Sequence, residues 1–273
     1  MPLRQIIMKQ ISILGCGWLG LPLAKSLLEK GFSINGSTTS VEKIAVLKNE
    51  GIHPYQINLL EDRIDGNLDS FLSNSDVLII DIPPKLRGNS SENFVAKIQN
   101  IIPFIEKSSV KKVIFVSSTS VYVDDNSIIT EDTIPNSDTE SGKQLLETEH
   151  LLQNNKNFQT TIVRFGGLIG DDRHPIKFLA GRKNIENPEG PINLIHQIDC
   201  IGIIEAIIEN DVWNEIFNAV SPFHPTRKEY YTQKAIELNL PLPEFEESKT
   251  SIGKTILSDK VESILNYKFK NKL

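Results

Sequence analysis

Three glycines within six positions form the clearest candidate site in the sequence. Gly15, Gly17 and Gly20 follow a short apolar run and open a segment with helical periodicity. In that context the first glycine permits a tight turn, the second lets a ligand approach the backbone, and the third lets the helix pack closely on the strand. The helix N-terminus then offers backbone N–H groups to an anion. Trp18 and Leu19 lie in the same loop and are predicted to contact the cofactor, although Trp18 could instead cap the apolar face of the helix. The pattern predicts a dinucleotide whose diphosphate lies against bare main chain.

The type of dinucleotide depends on the residues that follow the second apolar run. Proteins that bind NAD usually place an acidic residue about 20 positions after the glycines, where it holds the ribose 2′-hydroxyl. Here the segment reads NGSTTSVEK, which offers hydroxyls and a lysine at Ser37, Thr38, Thr39 and Lys43. These groups could accept a 2′-phosphate, so the segment favours NADP, with NAD as the alternative. Ser40 is equally well explained as the cap of the next helix.

The cysteines and histidines show no spacing that indicates a catalytic or metal-binding site. Cys16 and Cys200 have no repeated spacing, and Cys16 is better explained as a small packing residue than as a reactive thiol. The five histidines are scattered, and none has a second ligand at metal-binding spacing. We therefore predict no metal site.

Composition excludes several classes of partner. The formal net charge of −6 argues against a nucleic-acid binder, which would show a basic stripe. No apolar run approaches the roughly 20 residues that a membrane helix requires. The N-terminal apolar stretch is too short for a secretory signal, and two cysteines suit a reducing compartment. We expect a cytoplasmic protein that binds neither nucleic acid nor membrane.

The elements that must position the glycines alternate between strands and helices. Apolar runs with strand character are predicted at Gln10–Leu14, Ser33–Ser37, Pro54–Ile57, Val77–Ile82, Val113–Ser117 and Thr160–Arg164. The fourth and fifth are almost continuously apolar, as expected for parallel strands covered on both faces. The pattern predicts an α/β fold of the doubly wound Rossmann type, with a mainly parallel sheet.

Two lobes are predicted. Residues 1–165 would form the dinucleotide-binding domain and residues 166–273 a smaller C-terminal substrate lobe, where glycine and proline become frequent. A segment at about 192–220 still reads as strand, helix and strand. We expect it to return to the main sheet.

Several motifs, taken in order, resemble the extended short-chain dehydrogenase/reductase superfamily, also described as the NAD-dependent epimerase/dehydratase family. The resemblance covers almost the whole chain. The motifs are the glycine loop, Asn58-Leu59, VSSTSVY (116–122), ESGKQLLETE (140–149), RFGGLIG (164–170) and IHQID (195–199). The glycine spacing departs from the family's commoner Gly-x-x-Gly-x-x-Gly, which makes this an atypical member.

The resemblance also implies cofactor contacts beyond the glycine loop. Asn58 and Leu59 match the positions near the adenine. Pro83 and Pro84 shape the loop beside the cofactor, and Ser117 lies close to the nicotinamide.

In catalysis the resemblance implies a hydroxyl that orients the substrate and a Tyr-x-x-x-Lys helix. Ser118 matches the orienting hydroxyl and Lys143 the lysine, but the tyrosine position is Thr139. The four-residue spacing places Thr139 and Lys143 on one helix face. An aliphatic hydroxyl is a far poorer acid than a phenol, so Thr139 cannot simply replace the tyrosine. Tyr122 is a candidate replacement acid, and lysine with a bound water is another.

Two departures from the family's motifs bear on the type of reaction and the type of substrate. Thr119 and Ser120 stand where family dehydratases carry Asp and Glu, which disfavours dehydration. Gly167 stands where many nucleotide-sugar enzymes carry a phosphate-binding asparagine.

Two functions remain. One is an NAD(P)-dependent oxidoreductase or epimerase acting on a small carbonyl or hydroxyl substrate, and the other is a non-catalytic sensor of NADP(H). Relatives in the superfamily often dimerise, so a homodimer is an option.

Overall fold

The computed structural model describes residues 9–84, 92–271 and 273. The strands are β1 (Gln10–Leu14), β2 (Ser33–Thr38), β3 (His53–Gln56), β4 (Asn58–Leu59), β5 (Ile64–Asp65), β6 (Ser75–Ile80), β7 (Lys112–Ser118), β8 (Ile128–Ile129), β9 (Gln159–Phe165), β10 (Gly167–Ile169), β11 (Leu194–His196), β12 (Ile216–Ala219) and β13 (Thr255–Ile256). The helices are α1 (Gly20–Glu29), α2 (Glu42–Asn49), α3 (Leu68–Leu72), α4 (Phe94–Lys107), α5 (Glu140–Gln153), α6 (Ile176–Leu179), α7 (Gln197–Glu209), α8 (Arg227–Glu237) and α9 (Asp259–Leu265). A single 3₁₀ turn follows β7 at Thr119–Val121.

A seven-stranded sheet has the order β12-β9-β7-β6-β1-β2-β3. The pairs β1 with β2, β1 with β6, β2 with β3 and β6 with β7 are all parallel. Strand β1 lies next to both β2 and β6, so the chain reverses its direction of progress across the sheet at β1. In a doubly wound sheet, a ligand binds at the carboxyl ends of the strands beside such a reversal. The predicted Rossmann-type fold is confirmed.

The central strands are buried on both faces. Ile11 and Ile13 of β1 are fully buried, as are Ile79 and Ile80 of β6, whose side chains point to opposite sides of the sheet. This explains why the sequence reads as continuous apolar runs. On α1, Leu23 and Leu27 are fully buried at a four-residue spacing, so one stripe of the helix faces the core.

The chain divides into two compact units, each built from three segments. The first comprises residues 1–117, 139–163 and 207–216, and the second comprises residues 118–138, 164–206 and 217–273. The first unit contains β1, the glycine loop and α1. The second has a core of its own, formed by Ile169, Ile176, Ile192, Leu194, Tyr230, Tyr231 and Ala235.

The observed element bounds differ from the predicted ones by one or two residues in most strands. The start of α2 differs for a local reason. The helix begins at Glu42 after Val41, which makes no capping bond, and the Ser40 hydroxyl donates to the Glu42 carboxylate. The prediction that Ser40 caps this helix is therefore wrong.

Among the helices in the described part of the chain, none is long and apolar enough to cross a membrane.

Candidate dinucleotide site

The glycine loop lies at the carboxyl end of β1, and two of its glycines are required by the packing of the loop itself. Gly15 has a φ of +111°, and a Cβ there would lie 2.2 Å from the Asp81 backbone oxygen. A Cβ on Gly20 would lie 2.1 Å from the Gly15 backbone oxygen. Side chains at either position would collide with main chain, as expected for the turn and packing glycines of a dinucleotide loop.

Gly17 differs from the other two because the space around it is open. A Cβ built on this exposed residue meets no atom within 4 Å among the described residues. No packing contact among the described residues explains the glycine, whereas a ligand resting on the backbone would require the space that a side chain would take. The space at Gly17 is open at the position where the sequence predicts a diphosphate.

Ser37 holds the loop at the end of β2. Its hydroxyl accepts a hydrogen bond from the Gly15 N–H at 2.9 Å, and its backbone oxygen accepts one from the Cys16 N–H at 2.7 Å. The side chain is 2% exposed. Ser37 was predicted to contact the cofactor directly, and this geometry gives it a role in fixing the loop.

The other residues predicted to select the dinucleotide differ in accessibility. The Thr38 hydroxyl is buried and accepts from the Ser40 N–H, while Thr39 and Lys43 are exposed. Glu42 is exposed beside them, and the hydrogen bond that its carboxylate accepts from the Ser40 hydroxyl lowers its pKa. Thr39 and Lys43 are thus the two predicted groups whose side chains can reach a ligand from solvent.

Cys16 is a packing residue. Its sulfur would lie 2.7 Å from a Cβ on Gly36, so the thiol fills the space that this glycine leaves. Burial, followed by the charge of Asp81, raises the pKa of Cys16 to about 12, although the Lys43 charge lowers it in part. A thiol with this pKa stays protonated and unreactive at neutral pH.

The remaining predicted cofactor residues of the first unit lie at strand ends. Asn58 is exposed on β4 and Leu59 is buried beside it. Pro83 is exposed and Pro84 half-buried, just beyond the end of β6. Their contacts with a cofactor stay predictions.

Ser117 forms a hydrogen bond with a residue of α5. Its hydroxyl donates to a carboxylate oxygen of Glu149 at 2.6 Å, and Glu149 is fully buried. The sequence offers little signal for this pair, because a glutamate in an amphipathic helix resembles a residue of the solvated face. Ser117 was predicted to lie near the nicotinamide, and its hydroxyl proton is committed to Glu149.

Thr139 precedes α5 and does not lie on its face. The helix begins at Glu140, and the exposed Thr139 is its N-cap, with its hydroxyl accepting from the Gly142 N–H at 3.1 Å. The Thr139 carbonyl accepts the Lys143 N–H at 3.0 Å. The expected pairing of Thr139 and Lys143 on one helix face is therefore wrong, because the threonine hydroxyl satisfies the helix end. Lys143 is exposed in the first turn.

The capping geometry predicts the effect of a substitution at Thr139. We expect Thr139→Ala to lower the free energy of unfolding by about 1 kcal/mol, because the Gly142 N–H loses its partner. Thr139→Ser keeps the oxygen and should remain within a few tenths of a kcal/mol of the wild type. Urea unfolding followed by circular dichroism measures both variants. Equal stability of all three proteins would contradict the capping role.

The second unit carries Ser118 and Tyr122. The half-buried Ser118 accepts the Ser120 N–H at 3.2 Å, which leaves its hydroxyl proton to be donated. Tyr122 is 3% exposed, and its hydroxyl donates to Asn218 at 3.0 Å and accepts from Arg164 at 2.6 Å. The phenol is buried and its hydroxyl is already hydrogen-bonded, and both features argue against direct proton donation by Tyr122 to a substrate.

The acidic loop residues near Tyr122 serve structure. Asp124 forms an ion pair with Lys254 at 2.9 Å, and Glu131 accepts the Asn218 N–H at 2.8 Å. Burial raises the pKa of Glu131. Across the described ranges, no group of three or more His, Cys, Asp or Glu residues is arranged to hold a metal ion.

A parallel sheet whose first strand ends in a glycine loop defines a dinucleotide-binding protein of the Rossmann type. The comparisons with known proteins agree. A family model described as NAD(P)H-binding matches residues 15–193. Protein YeeZ from Escherichia coli strain K12 is 33% identical over 265 residues, which cover 96% of each chain. The chain belongs to this NAD(P)H-binding family.

Solved structures extend the fold comparison over nearly the full length. UDP-glucuronic acid 4-epimerase from Bacillus cereus, solved in complex with NAD, has a TM-score of 0.79 at 17% identity, over 96% of this chain and 92% of that one. A functionally unknown conserved protein from Silicibacter pomeroyi has a TM-score of 0.78 at 20% identity, over 97% and 94%. The predicted resemblance to extended short-chain dehydrogenases/reductases is confirmed for the fold.

Proposed function

We propose that the protein is an NADP(H)-dependent oxidoreductase or epimerase of the extended short-chain type, acting on a small carbonyl or hydroxyl substrate. The observation that carries the proposal is the open space at Gly17, within a loop that packing and Ser37 otherwise fix. The fixed loop is preorganised for a diphosphate, so binding needs little rearrangement.

Bound NADP(H) would supply or accept a hydride at the substrate carbon. The protein's part is then to orient the substrate oxygen and to move its proton. We assign orientation to Ser118, whose oxygen accepts a backbone N–H and whose proton can be donated. The proton at the substrate oxygen is assigned to Lys143 and a water that it holds, since Thr139 caps a helix and Tyr122 is buried.

Dinucleotide preference is tested at Lys43. We expect the protein to bind NADPH more tightly than NADH, and Lys43→Ala to weaken NADPH binding about tenfold with NADH unchanged, because only NADPH has a 2′-phosphate for the lysine to contact. Isothermal titration calorimetry gives all four dissociation constants. Lys48→Ala removes an exposed charge from the other end of α2 and serves as the matched control. Equal losses for both dinucleotides would contradict the assignment.

The catalytic assignment is tested by NADPH oxidation with a panel of small aldehydes and ketones. We expect turnover by the wild type, and a loss of at least about 100-fold in kcat in Lys143→Ala, with NADPH still bound. Ser118→Ala should behave similarly. Lys48→Ala should retain full activity. Unchanged kcat in Lys143→Ala would contradict the assigned proton path.

A second function is a non-catalytic sensor of NADP(H). It is favoured by the position of the two hydroxyls that could replace the family's tyrosine. Thr139 is committed to a helix end and Tyr122 to a buried network. Tight NADPH binding without turnover on the whole panel would select this function over the first.

A further inference from the structure

Asp81 places a carboxyl group at the glycine loop. It is the first residue after β6, and its N–H donates to the Leu14 oxygen at 2.9 Å, which continues the pairing of β1 with β6. Its side chain accepts the N–H of Gly20, the first residue of α1. A carboxylate oxygen lies 3.1 Å from where a Cβ on Gly20 would be. The acid therefore contacts the helix end that the diphosphate is expected to approach.

The surroundings of this carboxyl group disfavour its charge. The residue is half-buried, and the loss of water around its carboxyl group raises the pKa of Asp81 to about 8, although the Gly20 hydrogen bond lowers it in part. The titratable neighbour on the glycine loop is Cys16, which stays protonated. The nearby cation is Lys43, whose charge lowers the pKa of Cys16. In the described residues, no base forms an ion pair with Asp81. The carboxyl group therefore lies in surroundings that favour its neutral form.

A dinucleotide brings two negative charges to the same helix end. An ionised Asp81 would repel them at short range in a partly desolvated site, whereas a neutral carboxyl group would not and could also donate a hydrogen bond. We propose that Asp81 is neutral in the complex with NADP(H), so that an ionised Asp81 takes up a proton from solvent when the dinucleotide binds. The inference rests on the proposed function, because it requires the diphosphate to lie at the glycine loop.

The direction of the pH effect follows from linkage. Below about pH 8, Asp81 is already protonated in the free protein, so binding is independent of this group. Above that pH the free protein must first gain a proton, and the dissociation constant should rise by up to about tenfold per pH unit. The 2′-phosphate has a pKa near 6 and does not titrate in this range.

The test is calorimetric titration with NADPH from pH 7.5 to 9.5, in two buffers of different ionisation enthalpy. We expect the wild type to take up nearly one proton at pH 9 and to bind more weakly as the pH rises. Asp81→Asn keeps the size of the side chain and an acceptor for the Gly20 N–H, and should show neither effect. Asp76→Asn removes an exposed carboxylate from the same strand and should behave as the wild type.

The outcomes separate the two proposals. Wild-type binding that takes up no proton and is independent of pH overturns the role of Asp81 while leaving NADP(H) binding intact. An equal pH dependence in Asp81→Asn overturns it as well. If NADPH does not bind to the wild type at any pH, both proposals fail. The proton count of the wild type decides the matter even if Asp81→Asn does not fold.

Discussion

Gly17→Ala should strongly weaken dinucleotide binding while leaving the fold intact. The added methyl group meets no described atom within 4 Å, so we expect the free energy of unfolding to change by less than about 0.5 kcal/mol. The same methyl group occupies the space into which the diphosphate must come, and we expect NADPH to bind at least about 100-fold more weakly, a loss of about 3 kcal/mol. Calorimetry and thermal unfolding measure the two quantities separately.

The affinity and stability of Gly17→Ala can each contradict the proposed position of the diphosphate. If Gly17→Ala binds NADPH with wild-type affinity, the diphosphate does not lie on this stretch of backbone. If the variant loses stability as well as affinity, its effect on binding would be explained by damage to the loop. Only loss of affinity at constant stability supports the proposed site.

Gly20→Ala should have the opposite pattern, with a large loss of stability. A Cβ at this position lies 2.1 Å from the Gly15 oxygen and 3.0 Å from its carbonyl carbon, and main chain cannot move aside as a flexible side chain can. We expect the free energy of unfolding to fall by about 3 kcal/mol or more, with overpacking as the cause. Denaturant unfolding measures it.

Gly17→Ala is the matched control for Gly20→Ala, since both add one methyl group to the same loop. A melting temperature of Gly20→Ala within about 1 °C of the wild type would contradict the tight contact between α1 and the loop. A soluble but unfolded Gly20→Ala would support it.

The fold could be predicted from the sequence because its signals are local. The central strands are buried on both faces and therefore read as apolar runs, and the glycine loop combines a tight turn, a close approach and a helix start in six residues. Thr139 shows where a resemblance misleads. Threonine followed by glutamate is itself a signal for a helix start, and that local chemistry places α5 one residue later than the pairing with Lys143 assumed.

The parts of the site that could not be predicted depend on contacts between distant residues. Asp81 meets Gly20 across 61 positions, and Ser117 meets Glu149 across 32, so neither pair leaves a spacing that could be recognised. Ser37 was recognised as part of the site, but nothing local indicates that its hydroxyl faces Gly15 instead of solvent.

The C-terminal region was difficult to predict for a different reason. Several of its turns are made by asparagines with positive φ, which are Asn184, Asn187, Asn239 and Asn266. Asparagine tolerates this conformation better than most residues, but it occurs in many other settings, so the sequence does not mark these turns as clearly as glycine would.

The most direct test of dinucleotide binding at the glycine loop uses the tryptophan within it. The sequence has two tryptophans, Trp18 and Trp213, so Trp213→Phe leaves Trp18 as the sole tryptophan, which can be excited selectively over the tyrosines. Titrating this variant with NADPH and recording energy transfer from Trp18 to the reduced nicotinamide should give a saturable signal at one equivalent per chain, and Gly17→Ala in the same background should remove it. Absence of a saturable signal with both NADPH and NADH, in a protein that is folded, would contradict the account.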